Sequence, residues 1–351
     1  MSTDKTIQYL PEWVAQSGVM LTWPHAHGDW EPFLQDVEPV FCDIAYHISL
    51  HEQVLISCWD EPHKAHIDNC LKQRGVSPER VQLHIVASND TWARDHGPIT
   101  VVKQGQPVLL DFIFNGWGKK YQAKLDNAVT PRLCSQGAFG NTRIESIDLV
   151  MEGGSLETDG LGTLLTTSRC LLSPQRNPSL DRPQLEQRLS QLLGLDRYLW
   201  LEHGYLAGDD TDSHIDTLAR FCSPDTICYV SCDNPDDEHY AALQAMAKEL
   251  ATFKQRNGEP YRLIALPMTH PIHNEDGTRL PGTYANFLII NNAVLVPTYD
   301  DDHDELALQR LAACFPEREI IAINCKPLIE QYGSLHCVTM QLPQGVLTRE
   351  Q

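Results

Sequence analysis

Basic residues are scarce in this chain: 27 lysines and arginines stand against 47 aspartates and glutamates, a formal net charge of −20. That balance makes nucleic acid and anionic membrane poor partners, because the fields repel, and it favours a small cation. Long apolar runs are also missing. No stretch reaches the roughly 18 apolar residues of a membrane span, and Met1 to Leu10 has no apolar core behind a basic start, so a cytoplasmic protein is expected. The 11 cysteines are scattered and odd in number, which suits free, reduced thiols. Only Cys228 and Cys232 form a metal-like doublet, and no second pair completes a zinc site. No glycine-rich phosphate loop follows a strand, which argues against a doubly wound nucleotide-binding sheet. No Pro/Ser/Gly-rich linker divides the chain, so residues 1–351 read as one domain. A homo-oligomer is the macromolecular partnership these absences leave open.

Against that background, the run from Gly208 to Asp216 stands out. Asp209, Asp210, Asp212 and Asp216 surround one basic side chain, His214, and the apolar Thr217, Leu218 and Ala219 follow. A strand here would point His214 and Asp216 to the same face. The imidazole would then be a proton carrier beside a carboxylate, with its pKa held near neutral or above. An acidic, solvated turn or a helix N-cap would share this composition.

The polar motifs recur ahead of similar elements. Asp90 to Pro98 leads into an apolar run to Val102, a turn at Gly105 and a strand over 108–113. A long segment (119–136) follows, then a strand over 143–150. Glu152-Gly153-Gly154 opens a second copy, with a strand over 163–167 and a helix over 182–193. Asp181 caps that helix, Gly194 ends it, and Leu185, Leu189 and Leu192 share a face. The third copy starts at His214 and continues at 227–230. Its helix is expected to begin at Asn234-Pro235 and bury Leu243, Met246, Ala247 and Leu250, and a strand over 262–266 closes it. The fourth comprises 284–290, 293–296, a helix near 304–314 and a strand at 320–323. Leu335 to Gln341 and Val19 to Trp23 would pair the two chain ends in a fifth unit, with a helix over 32–50, a strand over 53–58 and an extra helix over 60–75. Copies spaced about 50 to 70 residues apart indicate a structural repeat. The expected fold is α/β, a five-module pseudo-symmetric propeller whose closed ring leaves no exposed edge.

In such a ring the motif heads meet near the axis. They carry Asp95, Glu152, His214 with Asp216, Asn286 and Cys337. His336 adjoins Cys337 and would face away if both lay on a strand, so His214 is the partner expected for the thiol. Most cysteines are core residues. Cys337 differs because glycine and polar residues precede it at the axis. A thiol needs a lowered pKa or an adjacent base to attack at neutral pH. Carboxylates nearby would raise that pKa, unless the substrate is itself a planar cation. Asp95 and Asp216 could each take two N–H donors of a guanidinium, whose charge would then favour the thiolate.

These segments resemble the guanidine-modifying superfamily, closely the agmatine deiminases with the bacterial-type peptidylarginine deiminases. The matching runs are Trp23-Pro24, Trp92 to Pro98, Phe114 to Gly118, Glu152 to Gly154, Gly208 to Asp216, Tyr284 to Phe287 and His336 to Thr339. They span nearly the whole chain in order. Ser213 and Lys119 stand where glycine is usual, and Gly333-Ser334 replaces a longer glycine run. The resemblance implies a pentein propeller, a nucleophile at Cys337, an acid/base at His214, guanidinium recognition by Asp95 and Asp216, and support from Glu152. Trp92 and Asn286 are further candidates for the substrate site. The expected reaction is a two-stage hydrolysis through a thiouronium on Cys337, needing no metal or organic cofactor. Agmatine is the expected substrate, giving N-carbamoylputrescine and ammonia, with Asp210 or Asp212 receiving its second charge. Free arginine would need a cationic partner for its carboxylate, and Arg94, next to Asp95, is expected to face away. A protein-arginine deiminase is the alternative of the same mechanism. A metal-dependent hydrolase using His214, Asp210, Asp212 and Asp216 is the alternative of another class.

Overall fold

The computed structural model describes residues 7–347. The six residues before them, within the Met1–Leu10 start, and the four after them in the 1–351 unit lie outside the described residues. The fold is mixed α/β, and its strands form five separate small sheets.

Four sheets share one plan: an antiparallel pair, then a third strand parallel to the second. Ile99–Lys103, Gln106–Ile113 and Arg143–Val150 make the first, with Ile7–Tyr9 added on the outer edge. Glu157–Thr158, Thr163–Thr167 and Arg197–Leu201 make the second. Ala219–Ser223, Thr226–Val230 and Arg262–Leu266 make the third, and Leu288–Ile290, Ala293–Thr298 and Glu319–Asn324 the fourth. A parallel partner needs a crossover, and a helix supplies it each time. In the fifth sheet the antiparallel pair comes from the two ends of the chain. Thr339–Pro343 runs against Gln16–Thr22 with Met340 opposite Met20, and Gln53–Cys58 and Val81–Ile85 follow in parallel. This is the pairing of chain ends that the sequence suggests. No helix among the described residues is long and apolar enough to cross a membrane, and all 11 cysteines are free.

The crossover helices form where capping and periodicity agree. Asp181 accepts from the Gln184 backbone at 2.9 Å and Gln184 returns the bond, a capping box before Arg182–Leu193. Gly194 ends that helix in the left-handed region (φ 69°). Leu185, Leu189 and Leu193 are its buried residues, so the true stripe runs i, i+4, i+8 and leaves Leu192 at the margin. Burying each such leucine contributes about 1.5–3 kcal/mol. The extra helix expected over 60–75 is Glu61–Arg74, capped by Asp60, which accepts from His63 N, and ended by Gly75.

Three expectations fail. The third crossover helix starts at Tyr240, because Asn234 spends its side chain on the Asp236 backbone in a turn. Residues 284–287 are not strand, and pairing begins only at Leu288. The C-terminal strand, expected from Leu335, begins only at Thr339, because residues 335–338 form a turn.

Candidate active site

The motif heads converge, although by turns rather than strands. Asp95 lies on the single helical turn Ala93–His96, and His214 precedes the 3-10 turn Ile215–Thr217, with strand beginning only at Ala219. The strand placement of His214 and Asp216 is therefore corrected. Its cause is local: the Asp209 carboxylate accepts from Thr211 N (3.1 Å) and Ser213 N (2.7 Å) and curls the loop. Asp212 and Ser213 consequently adopt φ of 69° and 64°. Ser213 and Lys119 (φ 68°) thus occupy left-handed positions where the family pattern has glycine.

Gly154 sits at the centre of the site. A Cβ added there would lie 2.5 Å from His214 Nδ1, 2.9 Å from Asp95 Oδ1 and 3.1 Å from Asp216 Oδ2. Three catalytic candidates thus surround one missing side chain, so glycine is needed here for space. The Gly154 N–H also donates to Asp95 Oδ1 at 3.0 Å. Asp95 Oδ2 accepts from Trp117 Nε1 at 2.9 Å. Trp117 has a left-handed backbone (φ 54°) between two glycines, local strain that aims the indole at the carboxylate.

His214 lies between two acids. Its Nε2 is 3.1 Å from Glu152 Oε2, and its Nδ1 is 3.6 Å from Asp95 Oδ1. Burial opposes its charge, yet Asp95, Cys170 and Glu152 raise its pKa well above the ordinary value. Glu152 is fully buried; burial pushes its carboxyl up, and His214 and Arg176 outweigh this to hold it low. Arg176 Nε reaches both Glu152 oxygens at 2.8 and 3.0 Å, and its NH1 reaches Asp212 at 2.6 Å. Burial lifts the Asp95 carboxyl to about 6. Asp216 has the opposite balance: burial raises it, but the His336 bond and the nearby charges of His214 and Arg220 together outweigh burial and leave it low.

Cys337 lines a pocket together with Asp95, Trp92, Trp117, Tyr121 and Gly333. Gly333 allows Trp92 to approach: a Cβ there would meet the indole at 2.2 Å. Burial, then Asp216 and Asp95, raise the free thiol's pKa well above its ordinary value. The remaining acids on the wall are Asp29, Asp90, Asp209 and Asp210, and no lysine or arginine lines it among the described residues. His214, Asp216 and Glu152 are buried behind this wall.

Of the other candidates, Asn286 stays off the pocket surface. Its Oδ1 accepts from His336 N (2.9 Å), Cys337 N (3.3 Å) and the Cys337 thiol (3.3 Å), so it organises the nucleophile's loop. Asp210 lines the pocket, with the Tyr121 hydroxyl donating to it at 2.6 Å. Asp212 is instead paired with Lys120 and Arg176, which removes it from the distal role. Arg94 turns away as expected, toward Glu12 and Gln341. The donor set His214, Asp210, Asp212 and Asp216 is not brought together. Among the described residues, the donor groups that do cluster are Glu152–Cys170–His214 and the surface His270–Asp301–His303. In the first, Arg176 already occupies both Glu152 oxygens, so a second cation there would meet repulsion. Trp117, Arg176, Cys170 and His336 are site residues to which the sequence assigns no role.

Residues 8–343 match the model of the Porphyromonas-type peptidyl-arginine deiminases. Among solved structures, the chain is similar to a "putative arginine deiminase" from Porphyromonas gingivalis: 48% identical, TM-score 0.90, covering 97% of this chain and 100% of that one. It is also similar to a substituted agmatine deiminase from C. jejuni with substrate bound: 37% identical, TM-score 0.89, 97% of each chain. A "putative agmatine deiminase" from Selenomonas ruminantium is 31% identical over 360 residues, 95% of each protein.

Proposed function

The chain belongs to the Porphyromonas-type peptidyl-arginine deiminase family, and from that premise we propose that it hydrolyses agmatine to N-carbamoylputrescine and ammonia in the cytosol. One observation carries the substrate choice: the pocket around Cys337 is walled by Asp29, Asp90, Asp95, Asp209 and Asp210 and by no basic residue among those described. A dication suits that wall at both ends. An arginine carboxylate would meet acids without a counter-charge, a like-charge contact costing several kcal/mol. The Porphyromonas relative's name points to arginine, and this wall is the argument against it. Asp210, held by Tyr121, receives the distal ammonium.

Asp95 and Asp216 hold the guanidinium, whose charge offsets what raises the Cys337 pKa, and the thiol proton leaves to solvent. The thiolate attacks the guanidinium carbon. The imidazolium of His214, kept charged by Asp95 and Glu152, protonates the departing nitrogen. Ammonia leaves, and a thiouronium remains on Cys337. The now neutral His214 takes a proton from water, whose oxygen adds to the same carbon. The C–S bond breaks, the hydroxyl proton passes through solvent to the departing thiolate, and the neutral ureido product separates from the restored thiol. No metal enters any step.

The five sheets fit one catalytic domain in which five modules close a ring about this site, and the pairing of Thr339–Pro343 with Gln16–Thr22 supports closure. Measuring kcat/KM on agmatine, arginine and a peptidyl arginine tests the substrate. Agmatine is expected to lead by roughly a hundredfold or more. A preference for either of the others overturns the choice of substrate.

A further inference from the structure

Asp216 is held from behind. Its Oδ2 lies 2.8 Å from His336 Nδ1, while its Oδ1 is buried without a partner. A buried carboxylate oxygen left bare is costly, and it persists where a ligand supplies the missing donor. On the far side of the ring, His336 Nε2 meets Glu12 Oε1 at 2.7 Å and Arg220 NH2 at 3.0 Å. The backbone is fixed as well: His336 N donates to the Asn286 side chain, and Arg94 N donates to the Cys337 carbonyl. Residues 335–338 form a turn, so the alternation that would turn His336 away from the site does not apply. The Arg220 guanidinium can only donate to Nε2, which favours a bare Nε2 and a hydrogen on Nδ1, toward the Asp216 carboxylate.

We propose that His336 is a positioning residue acting through Asp216: its Nδ1–H fixes one carboxylate oxygen so that the other meets the guanidinium, with Glu12 and Arg220 bracing the ring. This rests on the reading that Asp95 and Asp216 bind a planar cation. A packing histidine would be indifferent to which of its nitrogens is retained. A positioning histidine is not.

The test compares alkylation of Cys337 by chloroacetamidine, a flat cation without a tail, and by neutral iodoacetamide. The Cys337-containing peptide of the full-length protein is followed by mass spectrometry. In the parent, the cation should be preferred by at least about tenfold. His336→Asn keeps a donor near the Nδ1 position and should stay within about threefold of the parent ratio. His336→Gln reaches toward Glu12 instead and should lower the ratio about tenfold. In that variant Asp216 should also take up its proton at higher pH than in the parent, because a carboxylate that loses a donor binds its proton more tightly, and this adds an acid limb separate from that of Asp95. If His336→Gln does not fold, Glu12→Gln loosens the brace and should lower the ratio about threefold, and no change there overturns the proposal. Equal ratios for Asn and Gln, or the reverse order, also overturn it. A parent ratio near one would instead sink the cation reading and this proposal with it. Agmatine turnover is scored separately, so a wrong substrate leaves the ratio intact.

Discussion

Two charged regions lie back to back in this molecule and are built on opposite principles. On the pocket side, Asp29, Asp90, Asp95, Asp209 and Asp210 line the cavity with no basic residue among the described lining. Behind it, Glu12 and Glu157 are matched by Arg94 and Arg220, with Arg220 fully buried and donating also to the Ala285 and Phe287 carbonyls. Neighbours in sequence divide between the two: Arg94 faces back and Asp95 faces the pocket, and His336 braces from behind while Cys337 lines the cavity. Compensated charge holds the frame. Uncompensated charge is left for a cation to complete. The Asp95 and Asp216 carboxyls mark the boundary, one raised by burial to about 6 and the other kept low against burial by His336, His214 and Arg220 together.

Breaking the chemistry itself gives the largest effect. Cys337→Ser should lower kcat by at least about 10⁴-fold with an unchanged melting temperature, because a hydroxyl is a far poorer nucleophile here. Next comes the contrast between the regions. Arg220→Met strips buried Glu157 of its ion-pair partner and leaves Glu12 only Arg94 and His336, and should cost about 3–5 kcal/mol in denaturant unfolding. Asp95→Asn should cost about a hundredfold or more in kcat/KM, yet leave stability equal or higher, since burial opposes that charge more than its partners favour it. A stabilised Arg220 variant or a destabilised Asp95 variant would invert the account. A smaller effect is expected from Asp210→Asn: about tenfold in KM for agmatine, and none for an alkylguanidine with one charge.

The pH profile sharpens the same comparison. Below about pH 6 Asp95 takes up a proton, so kcat/KM should fall as pH drops through that value. The limb should vanish in Asp95→Asn. A limb unchanged in that variant would assign it to another group.

Much of this is legible in the sequence, and the failures have physical causes. Helix Arg182–Leu193 is readable because Asp181, Gln184 and Gly194 act within a few residues of it. The pairing of chain ends follows from matching apolar runs. Local side-chain bonds defeat other readings: Asn234 reads as a helix cap and makes a turn, and Asp209 curls the loop that reads as a strand start. Trp117, flanked by glycines, carries a visible signal. Arg176 and Cys170 carry none, because only the tertiary fold brings the short helix Ser168–Leu171 and the turn after it to Glu152. Strand alternation discounts His336, and its turn does not obey that alternation.

The most direct test of the central claim is to quench the protein in acid during turnover of agmatine and weigh the Cys337-containing peptide. The account predicts an adduct of agmatine less ammonia on Cys337. It should accumulate further in a His214 variant that slows water attack more than thiol attack. Product formation with Cys337 unmodified at every quench time, in parent and variant alike, would contradict it and leave direct attack by water in its place.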